Sequence, residues 1–120
     1  MVAAVYRGLM AIELEDVPIP RPSRGEVLVR VERCGVCHTD LKKISMGLGT
    51  PPLVFGHETA GVIVKTGAGV SDWSIGDRVA VFHHVPCRSC YYCANGAYAQ
   101  CPQYKKTGTV AAFEPAGGGF

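Results

Sequence analysis

Four cysteines within a short stretch constrain this chain more than any other feature of its sequence. They follow the pattern Cys-x₂-Cys-x₂-Cys-x₇-Cys and are Cys87, Cys90, Cys93 and Cys101. A Cys-x₂-Cys turn lets two thiolates converge on one ion, and two further thiolates complete a tetrahedron around it. Four thiolates leave no position for water, so the pattern predicts a structural zinc site rather than a catalytic one. The alternatives are free buried thiols or a redox-active pair.

A second candidate metal site combines Cys37 with His57 and Glu58. Thiolate, neutral imidazole and carboxylate are ligands that Zn²⁺ prefers, and three protein ligands leave one coordination position open for chemistry. An isolated His-Glu pair is more typical of a surface loop. The dense cysteine cluster further along the chain favours the metal interpretation, with Glu58 either a direct ligand or just behind the ion.

The composition narrows the classes of protein to which the chain can belong. Its 120 residues suffice for one compact domain, and charged residues make up 18% where about a quarter is usual. This low share predicts an apolar face that packs against something outside these residues. The net charge of +2 comes without a basic run, and no apolar stretch is long enough to span a membrane. Six cysteines and an N-terminus unlike a signal peptide indicate a reducing, cytoplasmic compartment.

Short apolar segments predict a mainly β fold with short helices. The alternation of apolar and polar residues over 11–15 indicates a half-buried strand. One helix is expected over residues 40–46, capped by Thr39 or Asp40. The other strands are expected over residues 2–6, 26–32, 61–66 and 79–82.

The glycines at 67 and 69 resemble the beginning of a dinucleotide fingerprint, but the rest of that pattern is missing. Asp72 occupies the position of the third glycine, and no helix-forming run follows. We therefore expect a turn between two strands at this place.

Taken together, these motifs resemble the N-terminal, catalytic part of the zinc-containing medium-chain alcohol dehydrogenases. The matching segments are Cys34-Gly-Val-Cys37-His-Thr-Asp40, Gly56-His57-Glu58-x-x-Gly61-x₅-Gly67-x-x-Val70, Gly76-Asp77-Arg78-Val79 and the four-cysteine stretch. The resemblance implies that residues 1–120 form a GroES-like, partly open β-barrel with short helices and a protruding zinc lobe at about residues 84–104. In the family a Rossmann NAD(P) domain follows, and we expect that domain to be absent from this chain.

The resemblance also implies roles for individual residues. Cys37 and His57 would hold a catalytic zinc, which makes an alcohol acidic enough to lose its proton before hydride moves to the nicotinamide. Thr39 aligns with the hydroxyl that starts the family's proton relay, and it can be a helix cap as well. Asp40 would orient His57 through the ring nitrogen that is not on zinc, or it is only a cap. His38 aligns with a position that often contacts the cofactor pyrophosphate.

Two positions depart from the family pattern. Lys42 stands where many alcohol dehydrogenases have the histidine that completes the relay. The alcohol branch takes its third zinc ligand from a cysteine far downstream, which these residues lack, whereas in the polyol branch Glu58 itself can bind zinc. Cys34 is expected to be a buried strand residue and not a ligand. His83 and His84 are expected to form a solvated loop pair, or to line the mouth of the site.

The sequence therefore predicts a fragment of a zinc-dependent oxidoreductase that oxidises an alcohol or polyol, or reduces the carbonyl, with NAD or NADP. One zinc would be catalytic and one structural, and the substrate a small alcohol, polyol or aldehyde. The parent enzyme is expected to be a homodimer or homotetramer without membrane or nucleic-acid partners. The 120 residues alone are expected to be inactive. The alternative is a stand-alone zinc-stabilised binding module, which the Cys37, His57 and Glu58 group disfavours.

Overall fold

The computed structural model describes residues 1–82, 86–103 and 116–117. The expectations for His83 and His84, and for the ends of the 84–104 lobe, lie outside the described residues. Within the described part the chain is mainly β, as predicted, and no helix there is long and apolar enough to cross a membrane. The strands are β1 (Val2–Gly8), β2 (Ala11–Asp16), β3 (Val27–Gly35), β4 (Leu53–Val54), β5 (Glu58–Thr66), β6 (Arg78–Val81) and β7 (Ala116–Gly117). The helices are α1 (His38–Ser45), α2 (Tyr91–Ala94) and a 3₁₀ turn at Tyr98–Gln100.

The first sheet has the strand order β2-β1-β4-β7. Strand β1 pairs antiparallel with β2 and with β4, and β4 pairs parallel with β7. Small and β-branched side chains pack well on a pleated surface, and here they form a buried cluster. Its members are Ala3, Val5, Val17 and Val54. Tyr6 on β1 is also buried, and its ring packs against Phe55 with the centroids 5.1 Å apart.

The second sheet, with the order β3-β5-β6, positions the first candidate metal site. Strands β3 and β5 pair antiparallel from Val27 opposite Thr66 to Gly35 opposite Glu58, with two register irregularities on the way. The last pair of this ladder therefore brings the end of β3 and the beginning of β5 side by side. Neither sheet closes on itself within the described residues.

Strand β2 forms where the alternating pattern predicted a strand, but the prediction that it is half-buried is wrong. Leu14 is 78% exposed and Ile12 is 41% exposed. Strand β2 lies at the edge of its sheet and pairs with β1 alone, and the physical reason for the exposure is that one of its faces is not covered. No element of the described residues covers the face that carries these two side chains.

The turn predicted at residues 67–69 is present between β5 and β6. The backbone N–H of Gly67 donates a hydrogen bond of 2.8 Å to the carbonyl of Glu26. A Cβ on Gly67 would overlap the carbonyl oxygen of Ser23. Glycine is needed here because two loops approach each other closely, and no helix follows the turn as a dinucleotide fingerprint would require.

Candidate metal centres

The first centre brings together three side chains of different chemistry. One ligand atom each from Cys37, His57 and Glu58 lies within 4.8 Å of the other two. Cys37 lies two residues beyond the last residue of β3, and His57 precedes the first residue of β5. Both strands therefore contribute to the group at one end of the β3–β5 ladder, where Gly35 pairs with Glu58. Sulfur, imidazole nitrogen and carboxylate oxygen at this separation fit a zinc ion with room for a further ligand.

Cys37 begins helix α1, and this corrects the predicted cap. The helix starts at His38, two residues earlier than expected, and neither Thr39 nor Asp40 is its N-cap. The Cys37 sulfur accepts a hydrogen bond of 3.5 Å from the Thr39 backbone N–H. In return the Asp40 carboxylate accepts a hydrogen bond of 3.1 Å from the Cys37 backbone N–H. This reciprocal capping box satisfies two donors that the first turn would otherwise leave unpaired.

Asp40 connects the two ligand-bearing segments. Its side chain is buried, with the residue 1% exposed, and its Oδ1 lies 3.2 Å from Nδ1 of His57. A neutral imidazole that donates its Nδ1–H to this carboxylate keeps the lone pair of Nε2 for a metal ion. The two possibilities left open for Asp40, a cap contact and an orienting contact to His57, are thus both realised through its two oxygens.

The remaining residues proposed for this centre lie around Cys37. The hydroxyl oxygen of Thr39 is 3.5 Å from the Cys37 sulfur, and Thr39 is exposed. His38 is the exposed first residue of α1, and Lys42 is exposed one turn after Thr39. Cys34 lies in β3, half-buried, with its sulfur 3.4 Å from the hydroxyl of Thr59, and it is not part of the metal-binding group.

The second centre is formed by the four cysteines of the lobe. Their sulfur atoms all lie within 4.8 Å of one another. The distance between the sulfurs is 3.5 Å for Cys90 and Cys93, and it is 4.0 Å for Cys87 and Cys93. The short helix α2 starts after Cys90 and carries Cys93 toward the interior, where Cys93 and Cys101 are buried. The six cysteines, all within the described residues, are free thiols. Four soft donors that converge in this way suit a closed tetrahedral site.

The thiols of the lobe differ in acidity for reasons that the geometry explains. Hydrogen bonds from the Ser89 backbone N–H and hydroxyl to the Cys87 sulfur lower the pKa of Cys87 to about 6. A hydrogen bond of 3.3 Å from the Cys87 backbone N–H lowers the pKa of Cys101. Burial raises the pKa of Cys93 to about 12. The geometry thus stabilises negative sulfur at Cys87 and Cys101, whereas the thiol of Cys93 must lose its proton before it can bind a cation.

Known proteins share both the sequence pattern and the fold. The family described as Alcohol dehydrogenase GroES-like domain matches residues 23–120. The chain belongs to this family. Sorbitol dehydrogenase from Bombyx mori is 40% identical over 109 residues, which are 85% of this chain and 31% of that protein.

Solved structures agree with this membership. A thermostable alcohol dehydrogenase from Pyrobaculum aerophilum with bound cobalt and zinc has a TM-score of 0.79 and 34% identity, covering 87% of this chain and 33% of that one. A zinc-binding dehydrogenase from Sinorhizobium meliloti bound to NADP has a TM-score of 0.74 and 32% identity. The match covers 84% of this chain and 30% of that one. The chain therefore spans about a third of the length of the relatives it matches.

The GroES-like fold expected from the resemblance is confirmed by the family match and by the open, mainly β architecture. In this GroES-like domain both groups of candidate ligands come together in space. The sequence reasoning missed Cys37 as the cap of α1. A possible signal was the Cys-x-x-Asp spacing at 37–40, which has the geometry of a Ser/Thr-x-x-Glu capping box with a sulfur in place of the oxygen.

Proposed function

We propose that this chain is the GroES-like catalytic domain of a zinc-dependent oxidoreductase that interconverts an alcohol or polyol and its carbonyl compound. The observation that carries the proposal is the mixed group of Cys37, His57 and Glu58, with ligand atoms within 4.8 Å of one another and the Thr39 hydroxyl beside it. Three protein ligands of this kind, with a position left for substrate, are typical of catalytic rather than structural zinc.

In this proposal Cys37, His57 and Glu58 hold the catalytic zinc, with Glu58 as the third protein ligand. When bound, the ion supplies Lewis-acid polarisation of the substrate oxygen, and the nicotinamide cofactor accepts or supplies the hydride. Cys87, Cys90, Cys93 and Cys101 hold the structural zinc.

The chain's own residues then orient the ligands and move a proton. Asp40 fixes the orientation of His57 through Nδ1 and holds the Cys37 backbone through its N–H. Thr39 receives the proton of the substrate hydroxyl at its side-chain oxygen. As it does so, Thr39 releases its own hydroxyl proton to water, and Lys42, one turn further along α1, occupies the place of the family's relay histidine.

The cofactor is proposed to be NAD or NADP, bound by protein beyond these 120 residues. Within the described residues the only turn that resembles a dinucleotide fingerprint, at 67–69, is not followed by a helix. His38, exposed at the start of α1, is proposed to contact the cofactor pyrophosphate. A relative of similar fold is bound to NADP, which supports this choice of cofactor.

The activities of the relatives support the proposed substrate. A sorbitol dehydrogenase and an alcohol dehydrogenase are among them, so the proposed substrate is a small alcohol, polyol or aldehyde. The enzyme is proposed to act in the cytoplasm as a homodimer or homotetramer, without nucleic-acid or membrane partners. The exposed Leu14 and Ile12 on β2 fit a face that packs against further protein.

The test compares the purified 120-residue chain with a protein extended by the sequence that follows in the gene. Each is supplied with zinc, NAD or NADP and a panel of alcohols and polyols, and the absorbance of the reduced cofactor is followed. We expect turnover only in the extended protein, and its loss on Cys37→Ala or His57→Ala. Turnover by the 120 residues alone would contradict the proposal that the cofactor is bound by protein beyond them. An extended protein that binds zinc in the lobe but is inactive on every substrate would favour a zinc-stabilised binding module.

A further inference from the structure

The side chain of Glu58 occupies the space that a side chain at position 35 would need. Gly35 and Glu58 are the last paired residues of the β3–β5 ladder. A Cβ built on Gly35 would overlap Oε2 of Glu58, and would lie 3.1 Å from its Cβ and 3.4 Å from its Cδ. The Glu58 side chain therefore folds across the end of β3.

The reason why glycine is needed at position 35 differs from the reason at the nearby glycines 56 and 61. Gly56, just before His57, has a φ of 98° in the left-handed region, where other residues are strained. A Cβ on Gly61 would meet the backbone oxygen of Arg30. Gly35 has neither constraint, since its φ is not in the left-handed region and the nearest atoms to its missing Cβ all belong to Glu58.

We propose that Gly35 is a positioning residue of the first metal centre, a role that rests on the proposed function of that centre. The missing side chain lets the Glu58 carboxylate lie across β3, where one of its oxygens is within 4.8 Å of the Cys37 sulfur and a His57 ring nitrogen. A methyl group at position 35 would force the carboxylate away from this place. Cys37 and His57 would then be left as a two-ligand site, which binds zinc more weakly.

Glu58 is exposed, so it has room to turn outward when it is displaced. A substitution at position 35 should therefore alter the coordination of the ion while the sheet remains intact. This distinguishes a positioning role from a purely structural one, in which the loss of metal would follow from a loss of fold.

The test is a cobalt titration of the Gly35→Ala chain, in which the absorbance of cobalt-thiolate bonds reports on both centres. Subtracting the titration of Cys37→Ala isolates the first centre, and the four-thiolate signal of the lobe serves as an internal control for folding. Val36→Ala is the matched control, because Val36 is adjacent and 67% exposed. We expect Gly35→Ala to weaken cobalt binding at the first centre by about tenfold or more, the usual effect of losing a supporting group, and Val36→Ala to leave it unchanged.

A second measurement tests whether the effect passes through Glu58. In a Glu58→Ala chain, Gly35→Ala should cause no more than a small further loss of cobalt affinity. In the metal-free proteins Gly35→Ala should leave the urea midpoint close to that of the unsubstituted chain, because the exposed Glu58 side chain can turn outward. Unchanged cobalt affinity in Gly35→Ala, or an equal loss in the Glu58→Ala chain, would overturn the positioning role and leave the proposed function intact. If the unsubstituted chain binds cobalt only in the lobe, the proposed function and the role of Gly35 at its metal centre both fail.

Discussion

Asp40 lies 3.2 Å from His57, and its other carboxylate oxygen accepts the backbone N–H of Cys37. One buried carboxylate thus connects two candidate ligands that lie on different strands at the same end of the β3–β5 ladder. The same contact caps helix α1. The formation of the helix and the orientation of the imidazole are therefore coupled through this carboxylate.

Removing the negative charge of Asp40 should weaken zinc binding at the first metal centre. Asp40→Asn keeps the size of the side chain but makes it a poorer acceptor for Nδ1–H of His57, so the imidazole becomes a weaker and less firmly oriented ligand. We expect the zinc affinity of this centre to fall by about 10-fold to 100-fold, measured by competition with a chelator. Asp72→Asn is the matched control, because Asp72 is exposed and, within the described residues, its side chain accepts a hydrogen bond from Ser71 alone. Equal affinities for the two variants would contradict an orienting role for Asp40.

The lobe should depend on each of its four thiolates. Cys93→Ser replaces a buried soft donor with a hydroxyl, so the chain should lose one equivalent of zinc and become sensitive to protease between residues 82 and 104. Zinc content by elemental analysis and a timed digestion measure the two effects. Cys34→Ser is the matched control, since Cys34 belongs to neither ligand group and a serine can keep its contact with Thr59. Unchanged zinc content and protection in Cys93→Ser would defeat the assignment of a structural site.

Zinc binding to the lobe should strengthen as the pH rises. Burial raises the pKa of Cys93 to about 12, so in the metal-free chain this thiol keeps its proton at neutral pH and must release it when zinc binds. Because binding releases at least this proton, the affinity should increase at least about tenfold for each pH unit between roughly pH 7 and 9. Below pH 6 the dependence should steepen, since the pKa of Cys87 is about 6 and its thiol is then also protonated. Chelator competition across this range measures the slope, and an affinity independent of pH would contradict the ligand set.

The parts of the structure that could be predicted are those encoded by local spacing. The four lobe cysteines lie within 15 residues, so their convergence needs little more than two turns. The turn at 67–69 could be predicted because the sequence lacks two parts of the dinucleotide fingerprint. These are the third glycine and a helix-forming run after it. The convergence of Cys37 with Glu58 depends instead on the register of a long antiparallel ladder. The residue types suggest a zinc site, but the strand pairing that builds it cannot be read from the residues alone.

The failures of prediction have physical causes as well. The cap of α1 was assigned to an oxygen-bearing side chain because oxygen is the usual acceptor, whereas here a cysteine sulfur takes that place. The alternation over 11–15 predicts a strand, but it cannot report which face other elements cover. Leu14 remains exposed because burial is decided by the neighbouring elements and not by the strand itself.

Thr39 should affect proton transfer without affecting metal binding. Its backbone N–H, which every residue but proline retains, donates to the Cys37 sulfur, while only its hydroxyl can accept the substrate proton. In the extended, active protein we therefore expect Thr39→Ala to lower kcat by about 100-fold or more, with zinc content unchanged and an altered pH profile. Thr39→Ser is the matched control, because it restores the hydroxyl at the same position and should recover most of the rate. If Thr39→Ala keeps the rate and pH profile of the unsubstituted protein, the proton leaves the substrate by another route.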